Sequence, residues 1–196
     1  MPLANPRNGT ESLSFEERRD RLREIIREKS MISGEIKLAS GRTSQFYFDM
    51  RPTTCDPEGS NLIAELILES LSGEHVDYIG GLEVGAVPIA ACVSQKSHQT
   101  GRPIPAFYVR KNPKEHGTRK LIEGQIGKGA HVVLVEDVTT SGDSVLKAVE
   151  AARNFGCSVT KVITVLDRQE GAAENLASHD VSFVSLLSAD EFDLSR

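Results

Sequence analysis

Glu136 and Asp137 stand side by side directly after the apolar run Val132-Val133-Leu134-Val135, and Val138-Thr139-Thr140-Ser141-Gly142-Asp143-Ser144 follows at once. Hydroxyl side chains and successive backbone N–H groups ahead of a helix are donors for an anion, and the helix dipole adds positive potential there. A phosphate alone would be repelled by two adjacent carboxylates. A ribose would not, because carboxylates accept hydrogen bonds from vicinal hydroxyls. The run therefore reads as a sugar-phosphate site, with hydroxyls on Glu136 and Asp137 and a 5-phosphate over Thr139 to Ser144. A solvated acidic turn with Ser141 or Thr140 capping the next helix would account for any one of these residues. Taken together they favour the site. No Gly-Lys-Ser/Thr follows at P-loop spacing, and the three glycines of a dinucleotide fold are absent.

Such a site needs a strand before it and a helix after it. Val132 to Val135 is too short a run for a helix and suits a strand buried on both faces, while Val145 to Phe155 resumes with helical spacing. Strands are also predicted over 45–50, 77–81, 104–109, 159–166 and 181–187. Helices are predicted from Ser14 to about Lys29 behind a Ser14/Glu17 capping box, over 56–71 behind Asp56 and Pro57, and from Pro88 to about Ser97. Alternating strands and helices imply an α/β fold: a mostly parallel sheet flanked by helices with right-handed crossovers.

Three further stretches carry chemistry. Gly80-Gly81-Leu82-Glu83-Val84-Gly85-Ala86-Val87-Pro88 puts small residues at a strand-to-helix turn, which suits either an anion on backbone amides or close helix–sheet packing. Arg110-Lys111-Asn112-Pro113-Lys114-Glu115-His116-Gly117-Thr118-Arg119-Lys120 concentrates positive charge in a chain of net charge -5. It reads as a mobile basic loop able to order over a polyphosphate. Arg168, just beyond a strand, faces the carboxyl edge of the sheet, and its planar fork suits a carboxylate; Asp167 or an acid of the following helix is the alternative partner. Phe46-Tyr47-Phe48 must place rings on both faces of its strand.

The chain has 196 residues, 39% of them hydrophobic, enough for one globular domain with a core. Residues 1–13 read as a loose leader, about 14–55 as helix and hairpin, and about 56–187 as the ligand-binding core. The acidic balance argues against nucleic acid as a partner. No apolar run is long enough for a membrane, and no apolar signal core opens the chain, so a cytoplasmic protein is expected. Cys55, Cys92 and Cys157 are expected to be reduced, buried small residues.

The run Glu136 to Ser144 resembles the phosphoribosyl-pyrophosphate (PRPP) motif of type I phosphoribosyltransferases. Ser40-Gly41-Arg42 with Phe46-Tyr47-Phe48-Asp49, the spacing of Arg110, Lys111, Lys114 and His116, and Asp167-Arg168 before Gly171 resemble the orotate phosphoribosyltransferases among them. The resemblance spans about Ser30 to Gly171 in family order. It implies the type I fold with a small N-terminal hood, transfer of the 5-phosphoribosyl group from PRPP to orotate, and Mg²⁺ as cofactor. By the same resemblance Lys111, Lys114, His116 and Asp137 would be catalytic. PRPP would lie on Arg110, Lys111, Lys114, His116, Glu136, Asp137, Val138, Thr139, Thr140, Ser141, Gly142, Asp143 and Ser144, and orotate on Thr140 and Arg168. Magnesium would be held by PRPP and not directly by the protein, except through water to Glu136 and Asp137. A homodimer is implied, with the 110–120 loop reaching the neighbouring site. Two departures stand out: Ala39 and Val84 occupy positions where many members carry lysine, with Lys37 two residues before Ala39. A purine, the base of the alternative phosphoribosyltransferases, would offer Arg168 no carboxylate. A PRPP-sensing regulator would lack the basic loop and carry a nucleic-acid-binding segment.

Overall fold

Ser14 and Glu17 form the predicted capping box: the Glu17 N–H donates to the Ser14 hydroxyl at 3.3 Å, and the Ser14 N–H donates to the Glu17 carboxylate at 2.8 Å. It opens helix α1 (Phe15–Lys29) in a computed structural model that describes residues 13–37, 43–112 and 120–192. The apolar stripe Leu22, Ile25 and Ile26 is fully buried. The charged face carries the i,i+3 pairs Glu16–Arg19, Asp20–Arg23 and Arg21–Glu24.

The expected single strand of the hood is a hairpin, β1 (Met31–Lys37) against β2 (Thr43–Phe48), antiparallel. β1 escaped the sequence reading because Gly34 takes a φ of +136° and the register shifts between Ser33 and Ile36, which breaks the period of two. Phe48 is buried against Phe192 at 5.2 Å between ring centroids, and Phe46 stands edge-on to Phe48 at 5.9 Å. Tyr47 turns outward beside Ile32, its cross-strand partner. A short helix, α2 (Arg51–Thr54), precedes α3 (Pro57–Ser70). Asp56 caps α3 by accepting from the N–H groups of Glu58 and Gly59 at 3.1 and 2.9 Å.

Strand β3 (Tyr78–Gly80) leads into α4 (Ala86–Gln99). The predicted strand 104–109 is regular only at β4 (Tyr108–Val109), which pairs antiparallel with β5 (Ile122–Glu123). Pro105 offers no N–H, so the preceding stretch follows β3 as an irregular edge: Ile79 N–H donates to the Pro105 carbonyl at 3.1 Å and Phe107 N–H to the Ile79 carbonyl at 3.0 Å. Then come β6 (His131–Thr139), α5 (Asp143–Phe155), β7 (Ser158–Asp167), α6 (Ala172–Ala177) and β8 (Ser182–Ser188).

The central sheet has the order β3-β6-β7-β8, all parallel. Alternate residues of β6 feed two cores. Val133 and Val135 pack with residues of α1, α3 and α4, and Val132 and Leu134 pack with α5 and Leu176 of α6. Each such side chain, removed from water, contributes roughly 1.5–3 kcal/mol before ordering costs. Burial on both faces explains the unbroken apolar run. One expectation needs correction: among the three free cysteines only Cys157 is buried, Cys92 is half-buried, and Cys55 is exposed where it caps the short α2. No helix among the described residues is long and apolar enough to cross a membrane.

Candidate active site

β6 ends in the two carboxylates. The Glu136 side chain is enclosed, with 7% of the residue exposed, and its Oε2 has no hydrogen-bond partner among the described residues. Burial, then the Asp137 charge and a hydrogen bond with Asp137, push the Glu136 carboxyl well above its ordinary value; the Lys111 ammonium opposes them. Asp137 accepts from the Val138 N–H through Oδ1 at 2.9 Å. Across the sheet edge it meets Gly85, where a Cβ would lie 2.5 Å from that oxygen. Gly85 therefore lets the β3–α4 turn close onto the carboxylate. Gly80 and Gly81 are there for packing, since a Cβ would strike the Phe107 ring at one and the Val135 carbonyl at the other. The packing reading of this turn holds at Gly80 and Gly81.

The hydroxyl run forms the turn from β6 into α5. Gly142 takes a φ of +85° ahead of Asp143, which lets the chain enter the helix sharply. The Ser141 hydroxyl donates to Asp143 Oδ2 at 2.8 Å, and Asn175 on α6 donates to the Ser141 carbonyl at 2.7 Å and to Asp143 Oδ1 at 3.1 Å. Asn175 was not foreseen in the sequence. Thr139 is buried with its hydroxyl unpartnered among the described residues, while Thr140 and Ser144 are exposed at the mouth.

Arg168 stands beside this turn. Its N–H donates to the Thr139 carbonyl at 2.9 Å, its guanidinium donates to Glu170 at 2.9 Å, and it lies 5.8 Å from the centre of the Phe46 ring. The hood aromatic and the predicted carboxylate receptor are thus brought together. An acid also partners it, and it is Glu170, between β7 and α6, where the alternative reading had Asp167 or an acid within the helix.

On the opposite side, Lys111 N–H donates to Glu83 Oε1 at 2.9 Å, and the Glu83–Val84 peptide bond is cis. Val84 is 65% exposed. The Arg110 guanidinium lies 3.7 Å from Glu123 on β5. Lys114, His116, Ala39 and the Ser40–Arg42 turn lie outside the described residues. Among the described residues no group of three or more metal-binding side chains converges. The open donors are the Glu136–Asp137 pair, which fits a magnesium ion held chiefly by ligand oxygens and too few protein ligands for a dedicated cage.

A family model of the phosphoribosyl transferase domain matches residues 57–192. The orotate phosphoribosyltransferase of Bradyrhizobium sp. is 53% identical over 178 residues, covering 89% of this chain and 96% of that one. The crystal structure of Mycobacterium tuberculosis orotate phosphoribosyltransferase with Fe(III) dicitrate superposes with a TM-score of 0.80 at 39% identity, covering 91% of this chain and 99% of that one. The same enzyme in complex with PRPP gives 0.76 at 37%, with the same coverage.

Proposed function

We infer, because this chain belongs to the orotate phosphoribosyltransferase family, that it transfers the 5-phosphoribosyl group of PRPP to orotate in pyrimidine biosynthesis. The products are orotidine 5′-monophosphate and pyrophosphate. One observation carries this reading: a carboxylate pair, a hydroxyl-rich helix entry and an arginine under an aromatic ring meet at the carboxyl edge of one sheet.

The reading assigns roles as follows. The backbone N–H groups and hydroxyls from Thr139 to Ser144 take the 5-phosphate, and the dipole of α5 favours its charge. Glu136 and Asp137 accept from the ribose hydroxyls. The orotate carboxylate lies on Arg168, with Phe46 bordering the ring and Thr140 contacting it. As the bond from C1 to pyrophosphate breaks and N1 of orotate closes on C1, positive charge grows on the ribose and negative charge on the leaving group. The carboxylates stabilise the first and Lys111 the second, with Arg110, Lys114 and His116 assisting. Glu136 and Asp137 would hold a magnesium ion through water, and the ion would supply further positive charge at the leaving group. Glu136 and Asp137 need not act as nucleophiles.

Substituting orotate by uracil tests the assignment of Arg168. Orotate should be consumed with PRPP and Mg²⁺ and uracil should not; equal use of both would refute it.

A further inference from the structure

Glu83 is the one acidic residue of the β3–α4 turn, and its carboxylate serves the segment after β4. The Lys111 N–H donates to Glu83 Oε1 at 2.9 Å, and the Glu83 N–H donates to the Val109 carbonyl at 2.7 Å. Val109 N–H in turn donates to the Gly81 carbonyl at 2.8 Å. Residues 81–83 and 109–111 are thus laced together by three bonds, and the one from the Lys111 amide to the Glu83 carboxylate is charge-assisted, stronger than a neutral one.

The position of this acid is otherwise unfavourable. Its turn closes on Asp137 through Gly85, and a carboxylate there would repel a polyphosphate. Its neighbour Val84 is exposed and uncharged, so the turn itself carries no cation. Lys111 is bonded to the turn through its backbone, and its charge is felt at Glu136.

We propose that Glu83 is a positioning residue: its carboxylate fixes the Lys111 backbone against the β3–α4 turn, so that the ammonium reaches the leaving pyrophosphate from a turn that lacks a cation of its own. The inference rests on the PRPP reading above. It is specific to this pair of residues.

Steady-state kinetics with orotate, PRPP and Mg²⁺ on wild type, Glu83→Ala, Glu83→Gln, Lys111→Ala and the Glu83→Ala/Lys111→Ala double variant test it. Glu83→Ala should lower kcat about tenfold, the worth of one hydrogen bond to a charged group, with the KM for orotate unchanged. Glu83→Gln, whose amide oxygen still accepts, should recover most of that loss. The double variant should be no slower than Lys111→Ala alone, because Glu83 acts through Lys111. Should Glu83→Ala fail to fold, Glu83→Met keeps the stem without the acceptor and takes its place. Wild-type turnover in a Glu83→Ala enzyme, failure of Gln to rescue, or losses that multiply in the double variant would each overturn the inference. A wild-type protein that turns over no orotate would instead overturn the PRPP and orotate reading on which it stands.

Discussion

Arg168 has one nitrogen on Glu170 and lies beside the Phe46 ring, and in the proposed site it would meet the orotate carboxylate. The rest of the fork remains for a carboxylate. Arg168→Ala should raise the KM for orotate by about tenfold to a hundredfold, the range for losing charged hydrogen bonds, and leave that for PRPP unchanged. Arg168→Lys should restore little, since a point charge does not reproduce a planar fork; initial-rate kinetics with each substrate varied separate the two constants. Glu136 makes a different prediction. Its folded-state carboxyl binds a proton more tightly than in the unfolded chain. The stability this contributes is complete below the ordinary Glu value of 4.5 and is lost as pH rises through the raised folded value. Glu136→Gln cannot ionise, so it should melt above wild type near pH ~8, and the gap should close toward pH ~4. Thermal melts across that range check the sign, and a gap that grows on acidification contradicts it.

The elements divide by how local their causes are. β6 and α5 could be read from the sequence because an apolar run, a polar turn and a helical stripe follow one another without interruption. The nine residues from Glu136 to Ser144 form one segment, so most of the candidate site was legible with them. Arg168 was legible too, from its place at the end of β7. β1 was hidden by its bulge, β4 was cut short by Pro105, and β5 is too brief to show a period. Glu83 and Asn175 gain their partners only through tertiary approach, and no spacing rule points to them. Two glycines of the site are required for different reasons, one for space and one for backbone conformation. Gly85→Ala would set a methyl 2.5 Å from Asp137 Oδ1, displacing a side chain and no backbone. It should weaken PRPP binding severalfold while the melting temperature holds. Gly142→Ala keeps its nearest neighbours at 3.5 Å but forces an alanine to a φ of +85°, costing about 1–2 kcal/mol of stability. Melting curves separate the two, lowered for Gly142→Ala and unchanged for Gly85→Ala, while PRPP titrations should be weakened in both.

At the scale of the whole molecule, one sheet edge gathers the carboxylates, the hydroxyl-rich turn and Arg168, and the hood closes one side through Phe46. The family implies that a second copy completes the other side with residues of the 110–120 loop. If so, mixing inactive Lys114→Ala with inactive Asp137→Asn should restore up to about a quarter of wild-type activity, because one hybrid site in each mixed dimer is intact. Mixtures as inactive as the parents would place loop and carboxylates in the same chain's site. The most direct test of the central claim is the fall in orotate absorbance when protein, PRPP and Mg²⁺ are combined, with Lys111→Ala alongside. Rapid loss of absorbance that stops on chelation and collapses in the variant is the result this account predicts. PRPP binding with no consumption of orotate would contradict it.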